Sequence, residues 1–218
     1  MSNTNKNVLI VESFNKTTFK EVKTANVPEG MMMVEGVLGV VDVVNRNNRI
    51  YSREEYVTHV NQLNQRIQES NGVLGELEHP KSMTINLNNI SHKVMEVKVL
   101  ENGNVWGKVL LLDTPKGQIA QSVVRSGSPL PISSRAQGQV MENGSVKLQH
   151  LATYDLVGTA GFAQAALGES VVENGQVIFE SYMFDLNENG QVVENAKDDS
   201  TLSSLSEEQI QLAVEKYL

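Results

Sequence analysis

The order of apolar and polar positions reads as strand over five stretches, 34–44, 92–100, 104–112, 130–140 and 146–157, the first of them rich in valine. Glu-Asn-Gly separates the second stretch from the third, at 101–103, and the fourth from the fifth, at 142–144. Asn-Gly readily supplies the positive φ angles of a tight hairpin, so both separations predict antiparallel pairs. The tripeptide returns at 173–175, again beside β-rich sequence, and at 188–190. The residues around the four copies do not recur at a fixed period, so they are turns and not a repeat. The domain is therefore predicted to be mostly sheet.

Two helices interrupt it. Ser52-Arg53-Glu54-Glu55 is a capping box, in which the serine hydroxyl accepts from the third helical amide and Glu55 reaches back. Tyr56, Val60, Leu63 and Ile67 then fall on one face, which predicts a helix to about Glu69. Thr114-Pro115 offers a capping hydroxyl with proline at the first helical position, and Ile119 and Val123 share a face before Gly127 ends the second helix. The flanks read differently. Residues 1–14 are expected to form a flexible N-terminal segment, 15–184 the folded domain, 185–204 an acidic linker, and 205–218 a short amphipathic helix with Ile210, Val214, Tyr217 and Leu218 on one face.

With 218 residues, of which 40% are hydrophobic and 20% charged, the chain suffices for one domain with a substantial core and a tail. No apolar run approaches the roughly 18 residues of a membrane span. The apolar stretch at 8–11 is shorter than the core of a signal peptide, so export by that route is not expected. The absence of cysteine excludes disulfides, thiolate metal sites and a cysteine nucleophile. A formal charge of -8 without a basic stripe argues against a nucleic-acid partner.

No phosphate-binding loop, dinucleotide fingerprint, His-Glu-x-x-His helix or Gly-x-Ser-x-Gly elbow is present. Three clusters can carry chemistry: Gly75-Glu76-Leu77-Glu78-His79-Pro80, Pro131-Ile132-Ser133-Ser134-Arg135, and Thr153-Tyr154-Asp155-Leu156-Val157. They supply a base, a nucleophile and an acid. A serine hydroxyl needs an imidazole to take its proton and a third group to hold the ring, and such a set can be scattered along a chain. The residues alone leave a second arrangement open, a metal held by Glu76, Glu78, His79 and His92. On a continuous strand, however, Glu76 and Glu78 would face away from His79.

Taken in order, these clusters resemble the prohead core protease family of the T-even phages, which is akin to the herpesvirus maturation protease assemblin. The likeness begins at Val43-Val44-Asn45-Arg46-Asn47-Asn48-Arg49-Ile50-Tyr51 and runs through the His79, Ser133 and Asp155 segments. It implies a mixed fold of the α+β kind, a largely antiparallel, barrel-like sheet with the two helices outside. It also implies a serine endopeptidase with His79 as general base and Ser133 as nucleophile. Asp155 stands at the third position, with His92 as the fallback. Ser134 and Arg135, through backbone amides and the guanidinium, are the candidates for supporting the oxyanion.

No cofactor and no metal is implied. The implied substrates are prohead scaffold and major capsid proteins and the protease itself, cleaved inside the prohead in the host cytoplasm; self-association stays open. Related phage enzymes cleave after (Ile/Leu)-x-Glu, which makes Glu12, Glu188 and Glu207 candidate self-processing sites. Two residues depart from the family pattern, Pro131 and Ala136, both of which replace glycine. Pro131 removes a backbone N–H next to the nucleophile's strand, and an inactive relative of the same fold is the alternative reading.

Overall fold

The computed structural model describes residues 8–14, 19–24, 26–44, 49–78, 82–157, 171–173 and 176–186. Within them the Asn-Gly turns are where the chain reverses. Gly103 and Gly144 take φ angles of 87° and 81°, which a residue with a Cβ rarely adopts. The first turn joins β5 (Ile90–Val99) to β6 (Asn104–Leu111), and the second joins β7 (Ile132–Val140) to β8 (Val146–Leu156). A third antiparallel pair, β9 (Val171–Glu173) with β10 (Gln176–Asp185), brackets the third Glu-Asn-Gly. The fourth copy and the tail helix expected at 205–218 lie outside the described residues.

The remaining strands are β1 (Val8–Phe14), β2 (Lys20–Glu21), β3 (Met32–Val40) and β4 (Val73–Glu76). They complete two antiparallel five-stranded sheets, in the orders β8-β7-β1-β10-β9 and β2-β3-β6-β5-β4. The segment expected to be flexible thus contains the central strand of the first sheet. The run Val8-Leu9-Ile10-Val11 explains this: Leu9 and Ile10 are buried, and the backbone pairs with β7 on one side and β10 on the other.

The sheets meet where β4 lies beside β8, through a parallel bridge between Leu77 and Leu156. Because β4 has only four residues and β2 only two, this seam is short and no closed barrel forms among the described residues. The fold is α+β, with sheets that join at an edge.

Helix α1 (Arg53–Ser70) covers the seam, packing on β5 and β8. Ser52 caps it as expected, accepting from the Glu55 amide, and Tyr56, Val60, Leu63 and Ile67 are buried with His59. A side chain such as Leu63, with no exposed surface, contributes roughly 1.5–3 kcal/mol by leaving water. Helix α2 (Pro115–Arg125) begins at the Thr114 cap but is rotated from the expected face. Gly117, Ala120 and Gln121 are buried, whereas Ile119 is 52% exposed. Gln121 fixes that rotation by donating to the carbonyls of Gly30 and Leu112.

Candidate active site

Ser133 and Asp155 are cross-strand partners in the β7–β8 ladder, so their side chains rise from the same face of the sheet. Arg135, two residues along β7, shares that face; Ser134 points to the other, opposite Tyr154. Pro131 stands just before β7, where a missing N–H breaks no ladder bond, and its carbonyl still accepts from Val157. Ala136 is buried at a bulge between Arg135 and Ala136. Both departures from the glycine pattern are accommodated without loss of the strand.

The guanidinium of Arg135 is wholly buried, and all five of its N–H groups are engaged. Nε donates to Asp155 Oδ2 at 2.8 Å, and Nη2 donates to Asp155 Oδ1 and Glu76 Oε1, both at 2.8 Å. Nη1 donates to the carbonyls of Ser82 and Thr84 at 3.2 and 3.1 Å. The side chain therefore holds no spare donor for an oxyanion, unlike the role expected of the guanidinium. Burial pulls Arg135 down, but the hydrogen bonds and charges of Asp155 and Glu76 outweigh it and leave it raised.

Asp155 Oδ1 also accepts from the Glu76 amide at 2.9 Å. Burial pushes its carboxyl up to about 6, against the opposing pull of Arg135 and that amide. Among the described residues Oδ2 receives only Arg135 Nε, so one acceptor position on that oxygen stays open. Among the described residues the Ser133 hydroxyl is uncommitted as well, reaching only the Ser134 carbonyl, 3.5 Å away, a separation at which little bonding remains.

His79 lies outside the described residues, but the chain on both sides of it is fixed. Before it, the Glu78 amide donates to the Leu156 carbonyl at 2.7 Å, beside Asp155. Glu78 itself has a φ of 98°, a strained conformation for a residue with a side chain. After it come Ser82 and Thr84, held by Arg135, and Asn86, whose amide donates to Glu76 Oε1 at 2.9 Å. The described residues that flank His79 are thus tied to β8 and to the Arg135 cluster, beside Ser133.

The alternative sites fare differently. His92, the fallback third member, is completely buried in β5. Its Nε2 lies 2.9 Å from the Tyr154 carbonyl, which can only accept, so Nε2 carries the proton and Nδ1 accepts from Ser91 Oγ at 2.8 Å. Burial depresses its pKa to about 4, leaving a neutral structural group. The metal arrangement loses Glu76 to Arg135, and Glu78 turns outward toward Lys116, 3.9 Å away. β4 ends at Glu76, so the strand alternation expected for Glu76, Glu78 and His79 does not apply. Gly75 has a packing reason: a Cβ there would stand 2.2 Å from His92 Nε2 and 2.4 Å from the Tyr154 carbonyl.

Glu12 falls within β1, across from Ser134, whereas Glu188 and Glu207 lie outside the described residues. The sequence reading missed the Arg135–Asp155–Glu76 cluster, although all three residues stand inside the motifs it singled out. An open hollow of about 640 Å³ is lined by Arg66, Lys93 and His150 together with Leu74, Met83 and Ile85; Ser133 and the cluster residues do not line it. Glu69 also borders it.

A family model described as prohead core protein serine protease matches residues 8–173. Among solved structures, the bacteriophage T4 capsid assembly protease, gp21, has a similar fold, with a TM-score of 0.59 and 20% sequence identity. That alignment covers 70% of this chain and 98% of the T4 chain. No curated protein sequence matches the chain.

Proposed function

The chain belongs to the prohead core protein serine protease family, and on that premise we propose that His79, Ser133 and Asp155 are its catalytic set. The observation that carries the proposal is the register of β7 against β8, which puts Ser133 directly opposite Asp155 where the His79 segment is anchored. Ser133 Oγ attacks the scissile carbonyl while His79 takes its proton, and His79 then gives that proton to the leaving amine as the C–N bond breaks and an acyl-enzyme remains. Water then releases the product with His79 again as base. Asp155, fixed by Arg135, keeps one acceptor position open on Oδ2, and the proposed role of that position is to accept the ring N–H of His79. Two carboxylates around one guanidinium give the cluster an excess of negative charge, which favours the imidazolium that forms during transfer. Backbone amides at Ser134 and Arg135 are the proposed oxyanion donors.

The substrates are proteins of the prohead, the scaffold and the major capsid protein, within the prohead interior. Cleavage after (Leu/Ile)-x-Glu is the finer part of the proposal. The chemistry of the hollow supports it, because Lys93 and Arg66 offer positive charge to an acidic side chain while Met83 and Ile85 offer apolar surface. Self-processing is proposed at Glu12, Glu188 and Glu207. Glu12 requires β1 to leave its ladder first, since a strand paired on both sides cannot enter a protease cleft.

A fluorophosphonate probe tests the site. Mass mapping is expected to find the adduct on Ser133 in the wild type and to find it lost in His79→Ala. Label on another serine, or undiminished label in His79→Ala, contradicts the assignment.

A further inference from the structure

We propose that Arg135 is a positioning residue for this protease, fixing the segment that carries the general base; the inference rests on His79 and Ser133 acting as proposed. The chain from Glu76 to Asn86 contains no strand or helix between its ends among the described residues, so its backbone groups need partners from elsewhere. Five ties hold it to the sheet and to the Arg135 cluster. The Glu76 amide is held by Asp155, the Glu78 amide by Leu156, the Ser82 and Thr84 carbonyls by Arg135, and the Asn86 amide by Glu76. Each of the five ends on β8, on Arg135, or on a carboxylate that Arg135 itself holds, and the Leu77 amide is held separately by the Asn89 carbonyl.

The shape of the guanidinium explains why arginine stands here. Its planar fork presents donors in two directions at once, toward two carboxylates in the sheet and toward two carbonyls of the overlying segment. A lysine concentrates its three donors on one atom and cannot span both. An apolar side chain could fill the space, but it would leave both carboxylates without a cation and could not bind the Ser82 and Thr84 carbonyls. The left-handed backbone at Glu78 adds to the need, because a strained turn persists only where its surroundings over-determine it. Asp155 thereby has two tasks: it faces the base, and it holds the residue that holds the base's segment.

The test compares wild type with Arg135→Lys, reading kcat and KM for a (Leu/Ile)-x-Glu peptide together with amide hydrogen exchange along the chain. The expected result is a fall in kcat of about 100-fold, as for a base displaced by roughly an ångström, with KM changed far less. Exchange at residues 77–86 is expected to accelerate while α1 and the β5–β6 hairpin keep their protection. Unchanged kcat with only lower thermal stability would show a strut and overturn the proposal. A fall in kcat with unchanged exchange at 77–86 would also overturn it, because Arg135 would then act on the reacting atoms. If Arg135→Lys does not fold, Glu76→Gln removes one anchor of the guanidinium and is expected to shift both readouts the same way by a smaller amount; unshifted readouts overturn the proposal. His79→Ala and Ser133→Ala run beside these variants, and activity retained in either would sink the underlying catalytic assignment instead.

Discussion

At the seam between the sheets, His92 is buried against Gly75, and Arg135 is buried against Glu76, the next residue of the same strand. The imidazole is neutral, with one bond at each nitrogen, to Ser91 in its own strand and, past Gly75 of β4, to the Tyr154 carbonyl of β8. The guanidinium is charged, binds two carboxylates, and still has donors for carbonyls outside the sheet. The contrast separates two uses of a buried polar group. A neutral group whose valences are filled within the sheet locks the seam, whereas a cation with surplus donors extends that order to irregular chain above it.

The largest effect should come from the charged centre. Arg135→Met leaves Asp155 and Glu76 facing one another without a cation, and unfolding in urea is expected to show a loss of roughly 3–5 kcal/mol. At the neutral centre the effect depends on pH. The unfolded chain protonates His92 near 6.5 and the folded chain only near about 4, so stability present above 6.5 is lost as the pH falls toward 4. Asp155 works the other way: its raised pKa gives stability that is lost as the pH rises through about 6. His92→Gln should therefore lose about 3 kcal/mol less than wild type on passing from pH 7 to pH 4. An equal acid response in both proteins would remove His92 from this role.

Smaller effects probe the geometry. Gly75→Ala forces its Cβ against His92 and the Tyr154 carbonyl, and about 1–3 kcal/mol of destabilisation is expected from overpacking. Calorimetry showing no shift would mean that the seam has more room than the structure gives it. Lys93→Glu, at the hollow, should raise KM severalfold for a peptide with glutamate before the cleaved bond and leave a glutamine analogue less affected. Equal KM changes for the two peptides would place acid recognition elsewhere.

Much of this arrangement was legible in the chain, and the boundary is physical. Ser52 and the spacing of Tyr56, Val60, Leu63 and Ile67 specify α1 locally, and the turns at Gly103 and Gly144 specify two hairpins. The family motifs drew attention to the segments that hold Glu76, Ser133, Arg135 and Asp155. The bonds among those residues could not be read, because they depend on the register of β7 against β8 and on β4 lying beside β8, contacts between residues dozens of positions apart. The central place of β1 was hidden for the same reason: its partners lie near residues 132–138 and 179–185. The rotation of α2 likewise rests on Gln121 reaching Gly30, which no helical periodicity encodes.

The most direct measurement incubates wild type and Ser133→Ala at high concentration with a (Leu/Ile)-x-Glu peptide and follows both by mass spectrometry. The account predicts cleavage by wild type that resists metal chelators and vanishes in Ser133→Ala. Equal cleavage by the two proteins, or cleavage abolished by chelators, would contradict it.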